Sequence, residues 1–181
     1  RLIAFFLMPL LGLSQGFQPI AGYNYGARSF DRVRKTIRLT LLTATVGSTL
    51  FFTVLMLFPG FLIGLFSDDP RLIAEGIPIL RTVILVIPLV GLQVVGSTYF
   101  QAVGKAVPAF ILGLSRQVIF LIPLVVLLPL AMGLRGVWTA FPLADILAVT
   151  VTAVWLGIEY RGLGRLAGQA GAEASVAVPA E

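Results

Sequence analysis

The chain of 181 residues is 58% hydrophobic and only 12% charged, with a mean hydropathy of +1.00. Soluble domains have about 45–50% apolar and about 25% charged residues, and one small core cannot hide such an excess, so the composition is that of an integral membrane protein. With no Cys and no His, disulfides, thiol nucleophiles, zinc–thiolate sites and Ser–His–Asp or Cys–His catalysis are excluded. The net charge of +5 arises mostly from residues just outside apolar runs, a pattern that fits membrane topology and argues against a nucleic-acid partner.

Crossing a bilayer takes about 20 mainly apolar residues. Five runs qualify: Leu2–Ile20, Leu39–Phe58, Ile77–Phe100, Val107–Leu130 and Val137–Ile158. Phe61–Phe66 either extends the second or lies in the interface. The runs are long and apolar all round, whereas β-barrel strands are short and alternate. The expected fold is an all-α, polytopic membrane helix bundle of five spans.

The connections set the orientation. One side carries Arg28, Arg32, Arg34, Lys35, Arg38, Lys105, Arg161 and Arg165; the other carries Arg1, Arg71 and Arg135. Excess Lys and Arg marks the cytoplasmic face, which puts the first residue outside and the C-terminus inside. The chain starts at Arg1 within an apolar run, with no basic leader or cleavage pattern. The expectation is a part of a larger protein, with at least one further helix before Arg1. Residues 1–160 form the helical unit, and the Gly- and Ala-rich 161–181 is expected to be a flexible cytoplasmic tail.

Pro9, Pro19, Pro78, Pro88, Pro123 and Pro129 fall inside the spans. Each removes a backbone donor and bends its helix; a single proline reflects the general frequency of proline in membrane helices, while three spans with paired prolines point to helices that bend in a transport cycle. Near the end of the first span, Gly16, Gly22 and Gly26 allow another helix to approach closely. Gln15, Gln18 and Asn24 are amides in or beside an apolar run, where an unsatisfied polar group is costly. They serve either as interhelical glue or as a polar patch on a substrate path, and Gln93, Gln101 and Gln117 present the same two alternatives. Tyr23 and Tyr25 fit an interfacial aromatic belt.

Two charges lie deep. Arg116 is roughly 13 Å into the fourth span from the inner side, and Asp145 roughly 12 Å into the fifth from the outer side, at 1.5 Å per residue. The two spans are antiparallel neighbours, so these opposite charges sit at similar depth in a ~30 Å core. Intramembrane charges are rare, and are paired or functional. Either Arg116 and Asp145 neutralise each other, or Asp145 exchanges H⁺ as substrate moves. Arg81, near the start of its span, snorkels to the interface.

The run Gln18-Pro19-Ile20-Ala21-Gly22-Tyr23-Asn24-Tyr25-Gly26-Ala27, with the basic loop after it, resembles the eighth helix and following loop of the multidrug and toxic compound extrusion (MATE) family. Further similar pieces follow in order: Leu65-Phe66-Ser67-Asp68-Asp69-Pro70, Phe100-Gln101-Ala102-Val103-Gly104-Lys105, Arg116-Gln117, and Gly136 to Asp145. The resemblance covers about Leu2 to Tyr160 and is nearest to the bacterial multidrug-export branch. It implies helices eight to twelve of a twelve-helix transporter, with helix seven and the N-terminal lobe absent from this chain. It also implies Na⁺- or H⁺-coupled antiport of amphipathic or cationic drugs by alternating access, in the multi-pass setting of the cell membrane. Some members of the family carry acidic coupling residues in helices seven and ten; that coupling site cannot be carried over, because Ile77–Phe100 contains no Asp or Glu.

Two alternatives stand beside this reading. A lipid-linked oligosaccharide flippase of the same superfamily needs a strongly cationic cavity, yet only Arg116 is deep. A truncated, non-transporting membrane protein is the other. An enzyme is not expected, since Asp145 has no second carboxylate, base or metal ligand beside it. No metal site or cofactor beyond the coupling ion is expected.

Overall fold

The computed structural model describes residues 2–66 and 69–176. Arg1, Ser67 and Asp68 of the acidic connection, and the last five residues of the expected tail lie outside the described residues. Helices and turns account for everything described, in agreement with the expected all-α class.

Helix α1 (Leu2–Gly26) runs across both Pro9 and Pro19. It ends where Arg28 takes a φ of 53°, rare for a residue with a side chain. The Ser29 N–H donates to the Asn24 carbonyl at 2.9 Å and the Arg28 N–H to that of Tyr25 at 3.0 Å. This is the hydrogen-bond pair of a Schellman ending. Helix α2 (Phe30–Leu57) follows, with Asp31 in its first turn, where the helix dipole favours an acid. Pro59 opens the short α3 (Pro59–Gly64), which leaves the line of α2 and packs against α4 (Pro70–Val83). The Asp69 carboxylate caps α4 by accepting from the Arg71 N–H at 2.9 Å.

The third expected span is not one rod. Helix α5 (Ile87–Ala102) is bent 49° from α4. Pro88, in the first turn of α5, has no N–H to continue the ladder; instead the Ile87 N–H reaches the Ile84 carbonyl at 2.9 Å in a turn. Helix α5 closes on Gly104, whose φ of +73° suits a residue without Cβ, with Lys105 N–H bonded to Phe100 O at 2.9 Å.

The fourth span is interrupted as well. Helix α6 (Ala106–Leu114) passes into a π-helical segment (Ser115–Leu121) and then α7 (Ile122–Met132). Pro123 lies just beyond the widened turns and cannot donate backwards. Widened turns of this kind accommodate such a break and are frequent at functional positions. Helix α8 (Leu134–Val176) has 43 residues, or about 65 Å at 1.5 Å per residue, twice the ~30 Å core of a bilayer.

Residues 161–176, expected as flexible tail, therefore belong to α8. No proline lies between Pro142 and Pro179, Leu, Arg, Gln and Ala favour helix, and Leu163 is buried. Among the described residues, three single helices are long and apolar enough to cross a membrane: Phe30–Leu57, Ala106–Met132 and Leu134–Gln169. The bent α4–α5 pair makes a fourth, and the 25-residue α1 occupies the first expected span.

Helix α5 is the hub, packed on α1, α2, α6 and α8. Small residues make this possible. A Cβ on Gly91 would fall 2.9 Å from the Ala44 methyl, and one on Gly96 would collide with Thr152. Tyr99, Phe100, Val95, Ile37 and Leu112 are buried around this hub. On the outer faces Leu42, Leu50, Phe110, Val126 and Leu130 are exposed, as lipid contact requires for helices without a water-facing polar surface.

Candidate functional site

Three helices place polar stripes around one cavity of about 420 Å³. Helix α1 contributes Leu11, Ser14, Gln15 and Gln18; α5 contributes Val90, Gln93, Val94, Ser97, Thr98 and Gln101. Steps of three and four residues put each set on a single helical face. The third wall is Leu112 and Gly113 of α6 with Arg116 and Gln117 of the π segment. Six of the eight residues proposed from sequence thus meet here: Gln15, Gln18, Gln93, Gln101, Arg116 and Gln117.

The hydroxyls are internally bonded. Ser14 donates to Leu10 O at 2.9 Å, Thr98 to Val94 O at 2.8 Å, and Gln101 Nε2 to Ser97 Oγ at 3.3 Å. Gln93 differs. It is only 6% exposed, and its Oε1 meets no donor. A buried acceptor left without a partner carries a cost, which a bound group or water in the cavity removes.

Asp145 does not line the cavity but stands behind Arg116. The Arg116 Nε donates to Asp145 Oδ1, and Nη2 to Oδ2 at 3.3 Å. The carboxylate is buried, whereas the guanidinium side chain remains 35% exposed. The cavity therefore sees the edge of a guanidinium whose charge is balanced from behind. Of the alternatives open in the sequence, the pairing is the geometry observed.

Asn24 is the one candidate that goes elsewhere. Its Nδ2 donates to its own helix, at Ile20 O, 2.8 Å away. Of the three glycines near it, Gly22 has the expected close approach, a Cβ there lying 2.8 Å from Ala102 O, while Gly16 and Gly26 have nothing within 4 Å.

The family model MatE matches residues 1–153. The chain belongs to the MATE family. A curated relative from Shewanella oneidensis, named FAD transporter, is 28% identical over 151 residues, covering 81% of this chain and 32% of that protein. The multidrug export protein MepA of Staphylococcus haemolyticus is 26% identical over 145 residues, covering 80% and 32%. The solved structure of the MATE multidrug transporter DinF-BH is 46% identical with a TM-score of 0.81, covering 86% of this chain and 35% of its own. An outward-facing and an inward-facing MATE structure share the fold at 21% identity each, with TM-scores of 0.83 and 0.81. The chain spans about a third of the length of these relatives.

This MATE chain also holds a second polar cluster, at the α5–α6 corner. Lys105 Nζ donates to both Glu159 oxygens, at 2.6 and 2.7 Å, and the buried Tyr99 hydroxyl donates to Oε1 at 3.1 Å. It ties the α5–α6 corner to α8. The depth matching that joined Arg116 to Asp145 finds it too: Lys105 follows one span and Glu159 ends another on the same side. As a basic residue just outside a span, Lys105 reads first as a topology marker.

Proposed function

We propose that the chain is the C-terminal lobe of a secondary active exporter, which exchanges Na⁺ or H⁺ for amphipathic or cationic organic compounds. Its setting is the cytoplasmic membrane, crossed five times with α1 first and with the C-terminus inside, as the basic connections favour. The observation that carries this reading is the polar-lined cavity of about 420 Å³ within an otherwise apolar helix bundle. Polar side chains are expensive in a membrane interior and mark substrate or ion paths. MepA and DinF-BH, named for multidrug export and transport, support the substrate class.

Alternating access follows from rocking one lobe against another. The near-equal fit to an outward-facing and an inward-facing structure supports a lobe that keeps its internal fold while it moves. The opposing wall of the path would come from a partner lobe, the remaining length of a full-size relative. Arg116 and Asp145 form, in this reading, a neutral unit that holds the π segment to α8, rather than a proton exchanger. An oligosaccharide flippase is disfavoured, since the one deep cation is neutralised.

A second reading draws on the same neutral balance. The cavity offers amides and a guanidinium edge but no unpaired carboxylate, and the Shewanella oneidensis relative is named FAD transporter. A polar, planar substrate matches this lining. The test is transport by the full-length protein in vesicles, with a cationic dye and a flavin compared under imposed Na⁺ and H⁺ gradients. Dye movement supports the first reading and flavin movement alone the second. Movement of neither compound under either gradient contradicts both.

A further inference from the structure

A second recess lies on the outer face of the bundle, away from the polar cavity. It measures about 310 Å³ and is lined by the buried Ile37 and Leu156 together with Leu41, Leu92, Ala153 and Gly157, while Arg38 and Tyr160 sit at one end. Gly157 leaves its floor open, with no atom within 4 Å of where a Cβ would stand. Helix α2 starts at Phe30 and α8 reaches Tyr160 after Gly157, so the charged end faces the side of the basic Arg28–Arg38 connection. The apolar part points into the membrane.

Among the described residues, the charge at that end is in no ion pair. Arg34 and Arg38 are one turn apart and share a face of α2, and neither contacts a carboxylate among the described residues. Arg34 is held in place, its guanidinium carbon 4.7 Å from the centre of the Tyr160 ring and 3.4 Å from where a Gly164 Cβ would lie. Its buried Nε has no acceptor. Arg161 and Arg165 lie exposed on the neighbouring turns of α8. An apolar groove between helices, ended by uncompensated guanidinium groups at the level of a membrane surface, matches one class of molecule. Its occupant has a hydrocarbon chain and an anionic phosphate.

We infer that the α2–α5–α8 groove binds an anionic phospholipid, with one acyl chain along Leu41, Leu92 and Gly157 and its phosphate at Arg38 and Arg34. The lipid braces the α8 extension beyond the membrane against α2. The site is separate from substrate transport and stands whether or not the export reading holds.

Native mass spectrometry of the purified chain in detergent tests it, with phosphatidylglycerol and phosphatidylcholine of identical acyl chains added in equal amounts. Phosphatidylglycerol is expected to be retained preferentially. Arg38→Gln lowers that preference about fivefold, the effect of one basic residue at a membrane surface, and Arg38→Lys restores most of it. Gly157→Leu fills the groove, leaves the charges untouched and lowers retention of phosphatidylglycerol. Leu130→Phe, on another lipid-facing surface, changes neither. Far-UV circular dichroism and elution volume establish that each variant is folded. Equal retention of the two lipids, an unaltered Gly157→Leu variant, or full displacement of lipid by millimolar inorganic phosphate overturns the inference.

Discussion

Arg116 meets Asp145 through two of its nitrogens, one helix in π form and the other a continuous α-helix, with the acid buried and the base half-open to a cavity. That asymmetry has a consequence for mutation. Arg116→Gln strands a buried carboxylate and is expected to cost about 3–5 kcal/mol. Asp145→Asn leaves a guanidinium that still reaches the cavity and costs less. Arg116→Gln with Asp145→Asn recovers most of the loss. Thermal or denaturant unfolding in detergent checks the order; a double variant no better than Arg116→Gln alone contradicts the pair as a neutral unit.

Gln93 is buried with an unbonded Oε1 at the cavity wall. Gln93→Leu is expected to leave the empty lobe as stable or to stabilise it by about 1–3 kcal/mol, the range for an unsatisfied buried group. The same change weakens dye binding to the full-length transporter. A large loss of stability in unfolding experiments would show that Gln93 is structural glue.

Gly96 admits Thr152 where a Cβ would collide with its methyl group. Gly96→Ala is therefore expected to destabilise by about 1–3 kcal/mol through overpacking. Adding Thr152→Ser, which removes that methyl group, recovers part of the loss. Additive effects of the two changes, measured by unfolding, would argue against the contact.

Glu159 accepts from Lys105 and from the buried Tyr99 hydroxyl. Glu159→Ala deprives both donors, whereas Lys105→Ala leaves the tyrosine bonded. The first is expected to cost more, with Tyr99→Phe near ~1 kcal/mol, a typical net value for one hydrogen bond. Equal melting temperatures for the two alanine variants would show that the cluster does not hold the α5–α6 corner to α8.

Much of the polar lining of the cavity is legible because polar residues are so few in these spans. Gln15 and Gln18, three residues apart, share a helical face, and Gln93, Gln101 and the adjacent Arg116 and Gln117 line the same cavity. The hydroxyls of Ser14, Ser97 and Thr98 were overlooked, since Ser and Thr bond their own backbone and are common in membrane helices. Asn24 was drawn in for its residue type, but its amide satisfies itself on Ile20.

Helix boundaries were less legible. The break at Pro88 and the π turns before Pro123 depend on how freed backbone groups are satisfied, which a hydropathy window does not sense. The tail reads as flexible from its glycines, yet Leu163 packs inward and Arg34 packs beside Gly164. Tertiary contact outweighed a weak local preference.

Water access along the polar stripe is the most direct probe, and a chain without Cys offers a clean background. Single substitutions Ser97→Cys, Gln117→Cys and Val126→Cys in the chain, reconstituted in vesicles, are treated with a membrane-impermeant thiol reagent. Ser97→Cys and Gln117→Cys should react and Val126→Cys should not. Equal inertness of all three, or reaction of Val126→Cys alone, would contradict a water-accessible path between α1, α5 and the π segment.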